Sequence, residues 1–209
     1  MSPMPELMAD RWAKREMLPP GQGRIYWHIL LEDHPEVRAM ASTAHERLAG
    51  IPGLDLTPHR WLHLTVLIAG LTNEISDEQM TAMVTEAGKL LAQVRPVTAT
   101  LGRVLYHPEA VMLEARPAAA LAPILEAAQT ATRTALGRDG IPAHEPWTPH
   151  VTLAYSKAAQ PAAPIIAALG RQLPTCEVTV GSIDLVVQDG PEYLWDWRPV
   201  AKVPIGSPS

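Results

Sequence analysis

Two strand-like segments, far apart in the chain, carry the same polar pair on an apolar background: RWLHLTVLI from Arg60 to Ile68, and WTPHVTLAY from Trp147 to Tyr155. Each contains a histidine, an apolar residue and a threonine in succession, His63-Leu64-Thr65 and His150-Val151-Thr152. Side chains alternate across a strand, so His63 and Thr65 share one face, about 7 Å apart, while Leu64 and Val66 share the other. The same alternation pairs His150 with Thr152. Two such strands facing each other would present an imidazole and a hydroxyl from both sides.

The rest of the chain supplies a frame for these strands. RIYWHILL, from Arg24 to Leu31, is aromatic and β-branched and predicts a strand; Pro35 to Leu48 has helical spacing. Ser76 to Val94 predicts a helix, opened by Ser76 with Asp77 and Glu78 in its first turn. Val97 to Tyr106 and Ala110 to Ala115 predict two strands joined at His107-Pro108-Glu109, and Pro117 to Leu136 an alanine-rich helix ending at Gly137. A short helix over Ala162 to Leu169, a strand over Glu177 to Val187 and a last strand over Tyr193 to Val203 complete the pattern. Turn-joined strand pairs argue for antiparallel pairing and an α+β class. Residues 1–23, mixed in charge and ending in Pro19-Pro20-Gly21-Gln22-Gly23, are expected to form a loosely attached leader, with one domain over residues 24–205.

The balance of charge narrows the partners. A formal net charge of −5 provides no global field to hold a long duplex nucleic acid, so a nucleic-acid substrate would be held at an end or as a small fragment. Cys176 is the one cysteine, which excludes an internal disulfide and a cysteine-based zinc site and fits a reducing, cytoplasmic setting. The N-terminal stretch has neither a signal-peptide core nor a membrane span, so no membrane partner is expected. There is no P-loop, dinucleotide fingerprint or zinc-protease helix, and no cofactor is called for.

The paired motif suits phosphodiester cleavage. That reaction needs a proton taken from the attacking oxygen and another given to the leaving oxygen. Histidine, with an ordinary pKa of about 6.5, serves in either role near neutrality. Thr65 and Thr152 would donate to the nonbridging oxygens, where charge develops. His63 and His150 are thus candidate catalytic residues, Thr65 and Thr152 candidate phosphate-binding residues, and no metal is needed.

On the residues His63-Leu64-Thr65-Val66 and Pro149-His150-Val151-Thr152-Leu153, with Gly102-Arg103-Val104 through Val111-Met112-Leu113 between them, the chain resembles the 2H phosphoesterase superfamily. That group contains the bacterial RNA 2',3'-cyclic phosphodiesterases, also described as 2'-5' RNA ligases. The resemblance runs from about Arg24 to Val203. It implies a bilobal fold with two pseudo-symmetric, mainly antiparallel sheets, outer helices and a central cleft to which each lobe gives one histidine strand. It also implies hydrolysis of a 2',3'-cyclic phosphate, on an RNA end or a nucleotide, by a protein expected to be monomeric. The chain lacks phenylalanine; Tyr26, Trp27, Trp61 and Tyr106 stand where the family often has it, which leaves base preference open.

Three aromatic residues are candidates for stacking on substrate. Trp61 falls on the His63 face by alternation, Tyr26 shares a strand face with His28, and Tyr155 reaches the cleft only if its strand twists or bulges at the end. Trp147 points away and is expected in the core. His59, His63, His144 and His150 are the histidines to consider for zinc, but none forms a helical pair with a nearby carboxylate. Three other readings stay open: a module binding nucleotide in the same cleft without turnover, an enzyme cleaving or joining 2'-5' linkages, and a metal-dependent hydrolase.

Overall fold

Apolar spacing decides which face of each element turns inward, and chain order decides which elements meet. The computed structural model describes residues 4–13, 15, 18–142, 146–190, 193 and 196–206. The first part comprises β1 (Leu7–Met8), β2 (Gly23–Leu30), α1 (Pro35–Leu48), β3 (Leu54–Leu56), a 3₁₀ turn at His59–Trp61, β4 (His63–Leu71) and α2 (Asp77–Leu91). The middle comprises β5 (Val97–His107), β6 (Ala110–Glu114), α3 (Ala118–Leu136), β7 (Ile141–Pro142) and β8 (His150–Ser156). The chain ends with β9 (Gln160–Pro161), α4 (Ala163–Leu169), β10 (Gln172–Val180), β11 (Ser182–Asp189) and β12 (Trp197–Pro204).

The helices begin and end where local chemistry requires. Ser76 and Gln79 form a reciprocal capping box at the start of α2, and Met80, Met83, Ala87 and Leu91 line its buried face. Gly137 closes α3 with φ 70°, a left-handed conformation that glycine adopts without strain. Trp27 donates its indole N–H to Thr132 Oγ1 at 3.2 Å, so the buried polar end of this core residue is satisfied by α3.

The class is α+β with antiparallel sheets, as expected. Strands follow the order β10-β5-β6-β8-β4-β2-β11-β12, with β3 on β8 and β7 on β4; β1 and β9 form a separate pair. The long path consists of two blocks of four, β4-β2-β11-β12 and β8-β6-β5-β10. They join at one residue pair, Leu64 opposite Val151. The helices α2 and α3 pack on each other and against β12 and β4, while α1 and α4 pack together beside β10 and β8.

Several expectations need correction. The strand predicted over Glu177–Val187 is divided at Gly181: β10 belongs to one block, on β5, and β11 to the other, between β2 and β12. The strand predicted from Arg60 begins only at His63, because residues 59–61 form the 3₁₀ turn after Pro58. Where it is described around Leu7 to Arg11, the leader is docked and not loose. Leu7 and Met8 pair with Pro161 and Gln160, Met8 is 1% exposed, and the Ala9 and Arg11 amides donate to the carbonyls of Pro108 and Ser156. An apolar side chain at residue 8 finds a core position and holds the backbone on either side of it.

Candidate active site

The junction between the blocks builds the site. Leu64 and Val151, the middle residues of the two motifs, lie opposite each other and are fully buried. Directly opposed residues of an antiparallel pair project to the same face. Their neighbours His63, Thr65, His150 and Thr152 therefore all project to the other face. These four line one cleft of about 320 Å³, together with Tyr26, His28 and Tyr155. The volume lies at the lower end of the range usual for small-molecule sites.

The two histidines are oriented in the same way. His63 Nδ1 lies 2.8 Å from the carbonyl oxygen of Trp61, and His150 Nδ1 lies 2.8 Å from that of Thr148. A carbonyl oxygen only accepts, so each Nδ1 carries the hydrogen and donates it. In the neutral state each ring then has its lone pair on Nε2. Two imidazoles with one defined tautomer each can take a proton at Nε2 or, when charged, release one there.

The His63 side of the cleft has further support. His28, directly opposite Thr65 on β2, stacks on His63 with ring centroids 4.3 Å apart at 25°. Trp197 meets both rings edge-on, at 4.7 Å from His63 and 5.3 Å from His28. His28 is 2% exposed; burial, then the neighbouring His63 charge, holds its pKa well below the usual histidine value, so it is neutral. Its Nε2 lies 3.4 Å from Thr65 Oγ1, while its buried Nδ1 has no hydrogen-bond partner. A bare buried lone pair is tolerated better than an orphaned N–H, which favours the proton on Nε2, directed at Thr65. The Thr65 hydroxyl hydrogen is then available for the cleft.

The aromatic candidates separate. Tyr26 lines the cleft beside His28, with ring centroids 4.9 Å apart. Tyr155 also lines it, because the pairing of β6 and β8 slips by one residue: Met112 faces Thr152, Val111 faces Ala154 and Ala110 faces Tyr155. Leu153 is the extra residue, and this bulge returns Tyr155 to the Thr152 side. Trp61 is not brought to the cleft. Lying in a 3₁₀ turn rather than a strand, it packs edge-on against Trp197 at 4.6 Å, and its carbonyl orients His63. Trp147 is half-buried against the core and donates its indole N–H to the Thr65 carbonyl at 3.2 Å.

Of the zinc candidates, His59 stacks on His45 and contacts Ser42, outside the cleft. His144 lies outside the described residues. Among the described residues, no group of three or more His, Cys, Asp or Glu side chains is gathered as a metal site would require. Sequence reasoning missed Arg11, Trp12 and Trp197, which line the cleft. The single tryptophan of the leader, next to Arg11, was the available signal for the first two.

Two opposed strands, each giving an oriented histidine and a threonine to a common cleft within a two-block α+β fold, define a phosphoesterase-type architecture. The chain belongs to the 2'-5' RNA ligase superfamily, whose family model matches residues 33–192. This membership supports an enzyme acting on phosphoesters. Among solved structures, the chain is similar to TT0787 of Thermus thermophilus, with 23% identity over 88% of this chain and 100% of that one, and a TM-score of 0.68. It is also similar to E. coli LigT complexed with 3'-AMP, with 18% identity over 88% of this chain and 98% of LigT, and a TM-score of 0.64. The MHV ns2 PDE domain shares 13% identity over 79% of this chain and 98% of that domain, with a TM-score of 0.58. These likenesses establish the shared fold. No curated protein sequence matches the chain. No helix among the described residues is long and apolar enough to cross a membrane.

Proposed function

We propose that this chain is a metal-independent phosphodiesterase that hydrolyses a 2',3'-cyclic phosphate, on an RNA end or a nucleotide, to a monoester. His150 Nε2 takes a proton from water as the water oxygen attacks phosphorus. His63 Nε2 gives its proton to the ribose oxygen as the P–O bond breaks. The cycle ends with His150 charged and His63 neutral, and one proton exchange with solvent restores both. Thr65 and Thr152 donate to the nonbridging oxygens as their charge grows. Attack by a 5'-hydroxyl in place of water, with the 3'-oxygen leaving, would join a 2'-5' linkage with the same groups in the same roles, and the reverse, cleavage of that linkage to the cyclic phosphate, exchanges the two histidine roles.

The observation that carries this reading is the matched pair of 2.8 Å contacts from Nδ1 to a carbonyl, which give both rings the same tautomer. A site that only bound nucleotide would need donors but no matched acid and base. Support for a nucleotide-sized ligand comes from the cleft volume and from the 3'-AMP complex of LigT.

The test is turnover of 2',3'-cyclic nucleotides, and of a short RNA with a cyclic phosphate end, in excess EDTA. Wild type should be active, and His63→Ala and His150→Ala should each lose roughly 10² to 10⁴ in rate. An inactive but folded wild type that still binds adenosine 3'-monophosphate would overturn catalysis in favour of a binding module. Activity abolished by EDTA and restored by metal would point to a metal-dependent hydrolase.

A further inference from the structure

The N-terminal segment enters the cleft, although it lies outside residues 33–192 that match the family model. Its path follows from where its ends are held. Met8 is docked on β9, next to the β8 block that carries His150. Gly23 begins β2 in the block that carries His63, with its amide on Thr72 Oγ1 at 2.8 Å. The chain between must cross from one block to the other.

Trp12 is at this crossing. Its indole N–H donates to Asp55 Oδ2 at 3.0 Å, and its ring meets Tyr155 edge-on at 5.4 Å on the His150 side. It also packs against the cluster of Tyr26, Val186 and Trp197 on the His63 side. Arg11 lays its guanidinium over the Tyr155 ring at 4.4 Å and pairs with Glu109 at 3.2 Å. Arg11 and Arg15 are the only arginine or lysine residues among the described cleft lining. In an acidic protein, the segment thus brings both fixed positive charges and an anchored indole to a cleft suited to an anion.

We propose that the segment around Arg11 and Trp12 is a strap that recognises the nucleoside part of the substrate. The phosphate group would sit at the two motifs, a placement that rests on the function proposed above. A base beside it would reach the wall formed by Trp12, the Arg11 guanidinium and Tyr155, which offers planar and cationic surfaces to any base. The substrate class is therefore a nucleotide or nucleotide end, selected over a phosphoester of the same geometry that has no base. Arg11 stands over both rings, 4.4 Å from the Tyr155 centroid and 5.5 Å from that of Trp12, so the three groups form this wall together.

The experiment is calorimetric titration of the full chain with adenosine 3'-monophosphate and, separately, with inorganic phosphate. It compares wild type, Trp12→Phe and Trp12→Leu; leucine keeps apolar bulk but has no aromatic face. Trp12→Leu should weaken nucleotide binding about tenfold or more and leave phosphate binding within about twofold, with Trp12→Phe close to wild type. Equal weakening of both ligands by Trp12→Leu, no weakening of either, or a wild type that binds nucleotide no more tightly than phosphate would each overturn the strap. Turnover of cyclic nucleotide is measured on the same samples. Absence of turnover alongside the expected binding difference would sink the catalytic reading and leave the strap standing.

Discussion

Val66 and Leu153 occupy the same place in the two halves of the protein. Each is the extra residue of a slip in pairing directly after the motif threonine. On β4, Thr65 faces His28 and Leu67 faces Trp27; on β8, Thr152 faces Met112 and Ala154 faces Val111. Both extra side chains are fully buried. The slip resets alternation, so Ile68 on one strand and Tyr155 on the other return to the cleft face. The third residue each strand gives the site is thereby Ile68 or Tyr155, where plain alternation would give Leu67 or Ala154.

If the histidines act at opposite ends of one transition state, their losses should not add. The double variant His63→Ala/His150→Ala should be no more than a few-fold slower than the slower single variant, because groups acting as a unit fail together. Thr65→Val and Thr152→Val should each lower kcat by roughly 10- to 100-fold with little change in KM, as expected for donors that count most in the transition state. Steady-state kinetics of the five variants decides this. Multiplicative losses in the double variant would mean that the histidines serve separate steps.

His28 should act through Thr65. His28→Phe preserves a flat buried ring but removes the donor, and should lower kcat about tenfold with KM nearly unchanged. His28→Gln, which keeps a donor near the Nε2 position, should recover most of that loss. In a Thr65→Val background, His28→Phe should have no further effect, which a double-mutant cycle reads directly. Equal losses for Phe and Gln in both backgrounds would reduce His28 to a packing residue.

Much of this architecture was legible in the sequence because its causes are local. The cap at Ser76, proline at the start of α1, glycine after α3 and the alternation around His63 and His150 each act within a few residues. What was not legible depends on partners distant in sequence. Tyr155 faces the cleft because β6 pairs out of step with β8, and nothing within WTPHVTLAY reveals that slip. Gly181 separates two strands because β5 claims one side and β2 the other. Trp61 and Trp147 contribute through main-chain and indole contacts that alternation cannot foresee.

Stability should respond to acid with opposite signs at two buried groups that face each other across β2 and β11, His28 and Asp184. The folded pKa of His28 is depressed, so the unfolded chain binds the proton more readily. Its contribution favours folding above about pH 6.5 and is lost as pH falls below that value. The carboxyl of Asp184, 2% exposed, is pushed up to about 6, chiefly by burial, with Lys202 opposing and Glu32 adding to the rise. Its contribution favours folding at about pH 4 and declines as pH rises to about 6. Asp184→Asn should therefore be more stable than wild type at pH 7 to 8, by on the order of 1–2 kcal/mol after allowance for screening, and the gain should vanish near pH 4. Melting curves across pH 4 to 8 check the sign; a gain that grows towards acid would contradict it.

The docked N-terminal segment makes a final prediction that a loose leader would not. Met8 is 1% exposed within the main core, and the backbone beside it is pinned by Ala9 N–H to Pro108 O at 2.7 Å and Ala162 N–H to Glu6 O at 3.0 Å. Met8→Ala leaves those backbone bonds possible but removes most of the buried side chain. The cost expected for a core methionine is about 2–5 kcal/mol, against nearly nothing for an unattached tail. Leu7, 65% exposed on the same strand, provides the internal comparison: Leu7→Ala should change stability by no more than about 0.5 kcal/mol. Denaturant unfolding of both variants gives the contrast. If Met8→Ala unfolds at the wild-type midpoint, the segment is not held as described, and the placement of Arg11 and Trp12 in the cleft loses its mechanical basis.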